Sequence, residues 1–273
     1  MAHPVNIAVA QKNAVLGDVS ENLRRAEDAI RSAATSGAAL VVLPECYLTG
    51  YVTSSRAQTL STAIEREGPE LRRIVQVCQE HDMHVIVGFL ERENAKCYNS
   101  AAVIGPDGII GIHRKRHLPF IGADRFVDAP EPEKLEVFDT EVGRIGIAIC
   151  YEIRFPEVMR TLALEGADLI VLPTNWPEHA DFLADHFTRV RAAENVVYLA
   201  VANRGDSEEG VEFLGASQIV DPAGELIERA GSGEALLVSQ IDLDRSREKT
   251  LRFRNGELEL PLWKDRRPAE YRL

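Results

Sequence analysis

Three side chains of this sequence would together make a workable nucleophile, and each stands where an apolar strand ends. Glu45 follows the apolar run 39–43 through Leu43-Pro44, Lys115 follows a hairpin pattern, and Cys150 follows the run 144–149. A free thiol has a pKa near 8.5, so only about a few per cent is thiolate at neutral pH. A nearby ammonium favours the thiolate, and a carboxylate can take the proton as general base. The same ammonium can face a carbonyl oxygen under attack, where negative charge develops. Tyr151, directly after the cysteine, offers its backbone N–H as a second donor. Composition and spacing permit this scheme without demonstrating it.

The elements that must position these groups read as an alternation of strands and helices. Apolar runs at 5–10, 39–43, 84–90, 144–149, 168–172 and 196–202 predict buried strands, and continuous apolar runs suit sheets covered on both faces. Helices are predicted from Asp18, with Leu23, Ala26, Ile30 and Ala33 at helical spacing and Gly37 as stop, and over 69–80, 156–165 and 181–194. Segments 96–104 and 109–113 flank Pro106-Asp107-Gly108 and predict a hairpin. Strands at 214–220 and 236–241, around the turn Asp221-Pro222-Ala223-Gly224, complete the set. The expected organisation is one α/β domain over 1–245 and a charged arm over 246–273. Active-site groups in open α/β sheets gather beyond the carboxyl ends of strands, which is where the three reactive types fall.

Composition excludes several classes. The 273 residues carry 31 Lys and Arg against 43 Asp and Glu, a net charge of −12, so nucleic acid is not an expected partner. No apolar run approaches the roughly 20 residues that span a bilayer, and the start lacks a signal-peptide pattern, so a cytoplasmic location is expected. Reduced thiols follow for the four cysteines. Cys46, Cys78 and Cys97 read as packing, and none sits at zinc-site spacing. His113 and His117 are four apart, but Arg114, Lys115 and Arg116 between them oppose a cation, so no metal and no cofactor are expected. His186 has nothing near it to mark a Cys–His pair.

At these segments the sequence resembles the nitrilase superfamily of carbon–nitrogen hydrolases. Leu43-Pro44-Glu45 with Thr49-Gly50-Tyr51, Arg114-Lys115-Arg116-His117-Leu118-Pro119 and the stretch from Gly146 through Cys150-Tyr151-Glu152 to Glu157 are similar to its glutamate, lysine and cysteine segments. Leu172-Pro173-Thr174-Asn175-Trp176-Pro177, Arg191-Ala192-Ala193-Glu194-Asn195, Ala202-Asn203-Arg204 and the turn at Asp221 continue the likeness in order. The resemblance implies a four-layer α-β-β-α sandwich that pairs into homodimers or larger assemblies. It also implies hydrolysis of a non-peptide C–N bond in a small amide or N-carbamoyl compound through a thioester. Glu45 is then the base, Lys115 the electrophile facing the oxyanion, and Cys150 the nucleophile. Cys-Tyr-Glu at 150–152 looks more like amidase branches than the Cys-Trp-Glu of nitrilases, which leaves a small nitrile as the alternative and a silent binding relative as another. The family's second glutamate is missing after Lys115, and Asp124 is the candidate replacement. Tyr51, Arg154, Asn175 and Trp176 are the expected substrate-binding residues.

Overall fold

The structure, a computed structural model, describes residues 4–271. In chain order the strands are β1 (Pro4–Gln11), β2 (Leu40–Val42), β3 (His84–Glu93), β4 (Lys96–Gly105), β5 (Gly108–Arg114), β6 (Val137–Thr140), β7 (Gly143–Ile147), β8 (Leu169–Pro173), β9 (Tyr198–Ala202), β10 (Ser207–Glu208), β11 (Val211–Glu212), β12 (Gln218–Val220), β13 (Leu226–Arg229), β14 (Ala235–Asp242), β15 (Leu251–Phe253) and β16 (Leu258–Leu260). Helices are α1 (Val19–Thr35), α2 (Arg56–Thr62), α3 (Pro69–His81), α4 (Pro156–Leu164), α5 (Thr188–Asn195) and the short α6 (Asp244–Arg247). One six-stranded sheet runs β14-β1-β2-β3-β4-β5 and a second runs β13-β12-β9-β8-β7-β6. Parallel triplets, β1-β2-β3 and β7-β8-β9, form their centres.

Strand alternation builds the layers. On β1, Ile7 and Val9 join the core between the sheets, while Ala8 and Ala10 face α1 and α3, as side chains of period two must. Helix α4, through Val158, Met159 and Leu162, covers the second sheet. The result is the expected four-layer α-β-β-α sandwich. Asp18 caps α1 by accepting from the Glu21 N–H, and Gly37 lies just past its end at φ +79°, where a left-handed residue closes a helix.

Some expectations shift. The strand read over 214–220 is confined to β12, because Gly215 and Ala216 take φ +69° and +55° and turn the chain away from the sheet. The helix over 181–194 contains a π-helical turn, Leu183–Phe187, before α5. Within 246–271, β15 and β16 pair as an exposed hairpin, and Lys249, just before it, anchors this segment by donating to the carbonyls of Ala167 and Val196 beneath the Trp263 ring.

Candidate active site

Each reactive residue follows the carboxyl end of a strand. Glu45 lies three residues past β2, Lys115 directly after β5, and Cys150 three residues past β7. Gly88 on β3 makes the first position possible. A Cβ there would stand 2.5 Å from the Cys46 nitrogen and the Pro44 oxygen, so bare backbone underlies the glutamate turn. Cys46 and Cys150 take φ +50° and +49°, a left-handed conformation that non-glycine residues adopt only where their surroundings enforce it.

The acid and the amine meet in a buried cluster. Lys115 Nζ donates to Glu45 Oε1 at 2.7 Å and to Asp124 Oδ2 at 2.5 Å. Asn99 Nδ2 donates to both carboxylates, at 2.8 Å each, and holds them apart. Burial alone would drive Lys115 towards its neutral form, but Asp124 and Glu45 hold it well above its usual value. Burial pushes the Glu45 carboxyl upwards, Asp124 adds to the rise, and Lys115 opposes it. Glu45 Oε2 has no hydrogen-bond partner. One oxygen of this carboxylate is therefore tied to the ammonium and the other is free to take a proton.

Cys150 completes the group. Burial pushes its thiol up to about 12, Glu45 adds to the rise, and Lys115, the Thr174 hydroxyl and the Asn175 backbone N–H oppose it. It is 8% exposed, whereas Cys46, Cys78 and Cys97 are fully buried. Burial thus favours the neutral thiol at this position.

The remaining candidates separate. Asp124, buried and 2.5 Å from Lys115, belongs to the cluster. Tyr51 donates its hydroxyl to Asp124 Oδ2 at 2.8 Å, so its polar end is spent on a carboxylate of the site. Gly122 permits this, since a Cβ there would lie 2.4 Å from the Tyr51 ring. Asn175 is tied to the glutamate turn by Nδ2 donating to the Glu45 carbonyl at 2.9 Å, and its Oδ1 has no partner. Trp176 is buried and anchored by its backbone N–H on Asn203 Oδ1. Tyr151 packs edge-on against Phe155. Arg154 is exposed, with its guanidinium 5.9 Å from the Phe187 ring, and makes none of the cluster's hydrogen bonds or ion pairs described above.

Glu152, like Asn99 in the cluster, is a residue the sequence did not single out. It is fully buried, and every partner it has is a donor. Oε1 accepts from the Arg116 N–H at 2.9 Å; Oε2 faces His113 Nε2 and accepts from the Ile149 N–H, both at 2.8 Å. One carboxylate thus grips the backbone beside Lys115 and the backbone beside Cys150. The histidine pair considered for metal is engaged here: His113 faces Glu152, and His117 stacks on Phe155 at 3.9 Å. Arg114 forks onto Glu91, its Nε donating to Oε2 at 2.9 Å and its Nη2 to Oε1 at 2.5 Å. Cys-Tyr-Glu was visible as a motif, but the glutamate's partners lie up to 39 residues away.

Burial by itself would raise the Glu152 carboxyl; His113 and the backbone donors pull it well below its ordinary value of 4.5. A depressed folded-state value contributes stability above the unfolded pKa, lost as pH falls through it. Glu152→Gln, which sets an amide NH₂ against a donor, is expected to cost about 3 kcal/mol at neutral pH. The variant's melting temperature is also expected to fall less steeply with acid than that of the wild type. Parallel curves between about pH 7 and about pH 3 would refute this role.

An α-β-β-α sandwich with an acid, an amine and a thiol at its strand ends has the make-up of a hydrolase. The chain belongs to the carbon–nitrogen hydrolase family of the nitrilase superfamily, whose profile matches residues 6–250. It is 35% identical to the protein named Nitrilase from Pyrococcus abyssi, over 98% of this chain and 99% of that one. It is 37% identical to Omega-amidase NIT2 of Xenopus tropicalis, over 82% of this chain and 84% of that one. Among solved structures, Saccharomyces cerevisiae Nit3, a member of branch 10 of the nitrilase superfamily, superposes with a TM-score of 0.79 at 26% identity, covering 89% of this chain and 92% of that one. A variant of the amidase from Nesterenkonia sp. AN1 shares the fold with a TM-score of 0.80 at 23% identity, covering 97% of this chain and 94% of that one. Among the described residues, no helix is long and apolar enough to cross a membrane.

Proposed function

We propose that the protein hydrolyses a small carboxamide or N-carbamoyl compound by acyl transfer through Cys150. The observation that carries this reading is the free Oε2 of Glu45, in a carboxylate whose other oxygen is 2.7 Å from Lys115 Nζ. Cys150 sulfur attacks the carbonyl carbon as Glu45 takes the thiol proton, and the negative charge forming on oxygen faces the Lys115 ammonium. Collapse breaks the C–N bond, Glu45 returns the proton to the leaving nitrogen, and ammonia departs from a thioester. Glu45 then deprotonates a water that attacks the thioester. The thiol is regenerated and a carboxylic acid leaves.

Two buried acceptors, Glu45 Oε2 and Asn175 Oδ1, have no donors. A primary amide brings two N–H donors and a nitrile none, which favours an amide. The omega-amidase relatives accord with this, whereas the relative named Nitrilase keeps nitriles in the screen. Arg154, Trp176 and the Tyr151 N–H remain proposed contacts to the acyl group or the oxyanion. The reading includes a homo-oligomer, supported by the exposed Phe182 and Val190 on the helix leading into and through α5 and by Phe253, Leu258 and Leu260 in the C-terminal hairpin.

The test is ammonia release from a panel of short amides, carbamoyl compounds and nitriles. Faster turnover of nitriles would overturn the amide preference, and no release from any of them would overturn hydrolysis. With the best substrate, the acid limb of kcat/KM is expected above 4.5, because burial raises the Glu45 carboxyl and the base is lost once it is protonated. A limb at or below that value would exclude Glu45 as the base.

A further inference from the structure

The reactive cluster is fastened from a distance by a hairpin that touches no reacting atom. We propose that Glu208, on β10, is a positioning residue for Lys115 and acts through Tyr51 and Asp124. Its buried carboxylate reaches the chain beside Tyr51: Oε2 accepts from the Tyr51 N–H at 2.9 Å and the Val52 N–H at 2.6 Å. Oε1 accepts from Arg204 Nη1 at 2.7 Å, and Arg204 is itself buried, held by Asp206 and by the Ala14 carbonyl. Glycine at position 50, at φ +79°, allows the close approach, since a Cβ there would lie 3.2 Å from Glu208 Oε1 and 2.6 Å from Leu16 Cα.

Tyr51 is therefore a rigid strut pinned at both ends. Its backbone is held by Glu208, and its hydroxyl donates to Asp124 Oδ2, the oxygen that lies 2.5 Å from Lys115 Nζ. A carboxylate suits this place because every group it meets is a donor, and Arg204 balances its charge out of water. The same hairpin runs on to Leu214, whose N–H donates to the Trp176 carbonyl at 2.9 Å, so it also holds the loop beside Cys150. The consequence is specific: loosening Glu208 displaces the ammonium without removing any group that reacts, and displacements of about 1 Å cost on the order of 100-fold in rate.

The role matters for the hydrolysis proposed above, but its test reads the thiol directly. Cys150 alkylation by iodoacetamide is followed by peptide mass spectrometry across a pH series in the wild type, Glu208→Gln, Tyr51→Phe and the double variant. Each single substitution is expected to slow alkylation by about tenfold, with the double variant no slower than Tyr51→Phe alone, because both cut one chain of contacts. Multiplying effects, or a wild-type rate in Glu208→Gln, would overturn the proposal. Tyr51→Phe, which removes a single oxygen, serves if Glu208→Gln does not fold, and an unchanged rate in it also overturns the proposal. Glu212→Gln, on the exposed neighbouring strand, is the control expected to match wild type. Ammonia is not measured, so a wild type that hydrolyses no amide would refute the proposed function and leave this result standing.

Discussion

Replacing Cys150 with alanine is expected to abolish ammonia release from every amide the wild type hydrolyses, lowering kcat/KM by about 10⁴-fold or more. No other described thiol can substitute, since Cys46, Cys78 and Cys97 are fully buried and Cys150 is 8% exposed. The loss is expected to be catalytic and not structural. Alanine meets the same φ of +49° as cysteine, and deleting the one sulfur of this 8% exposed side chain costs on the order of 1 kcal/mol. A normal melting curve with no activity is the expected pair of results. Serine is expected to be equally inactive, because its hydroxyl ionises far above even the raised thiol. Appreciable turnover by the alanine variant would remove the sulfur from the mechanism.

Lys115→Met is expected to be the opposite case, losing activity and stability together. The wild-type ammonium stands between Glu45 and Asp124, all three buried. Removing it leaves carboxylates facing each other with no cation, and breaking a buried pair in this way costs about 3–5 kcal/mol. The pH dependence fixes the cause. Without Lys115 the burial that already raises Glu45 is opposed by the Asn99 hydrogen bond and no longer by a cation, so the folded protein holds a proton that the unfolded chain releases. Stability of the variant is then greatest in mild acid and falls as pH rises towards the raised value. Denaturant titrations at about pH 5 and about pH 8 measure this; a variant equally stable at both would show that the carboxylates are not left stranded.

What the sequence made legible was whatever burial writes locally. The runs that became β1, β3 and β8 are apolar because both faces of each central strand are covered, and α1 carries its start in Asp18 and its stop in Gly37. The most exposed elements carry no such signature. β13, Leu-Ile-Glu-Arg, is exposed throughout, and α2, Arg-Ala-Gln-Thr-Leu-Ser-Thr, is too polar to show a stripe. At the site, residue type and strand-end position singled out Glu45, Lys115 and Cys150. Tyr51 was expected against substrate, but its hydroxyl is committed to Asp124. Glu152 and Glu208 were hidden for one reason: they act on backbone N–H groups, and a backbone donor has no letter in the sequence. Their partners lie 36 and 157 residues away, so only the folded chain brings them together.

β1 takes one neighbour, β14, from the far end of the chain, with Pro4 opposite Asp242 and Gln11 opposite Ala235. During synthesis the pairing side of β1 therefore stays bare until residues 235–242 have left the ribosome, after which β14 stands as the sheet's outer strand. A bare margin of this kind recruits other strands, and contacts so distant in sequence form late. A nascent or truncated chain ending before β14 would thus be sticky, and its protection would come from whatever shields the emerging polypeptide, not from its own completed fold.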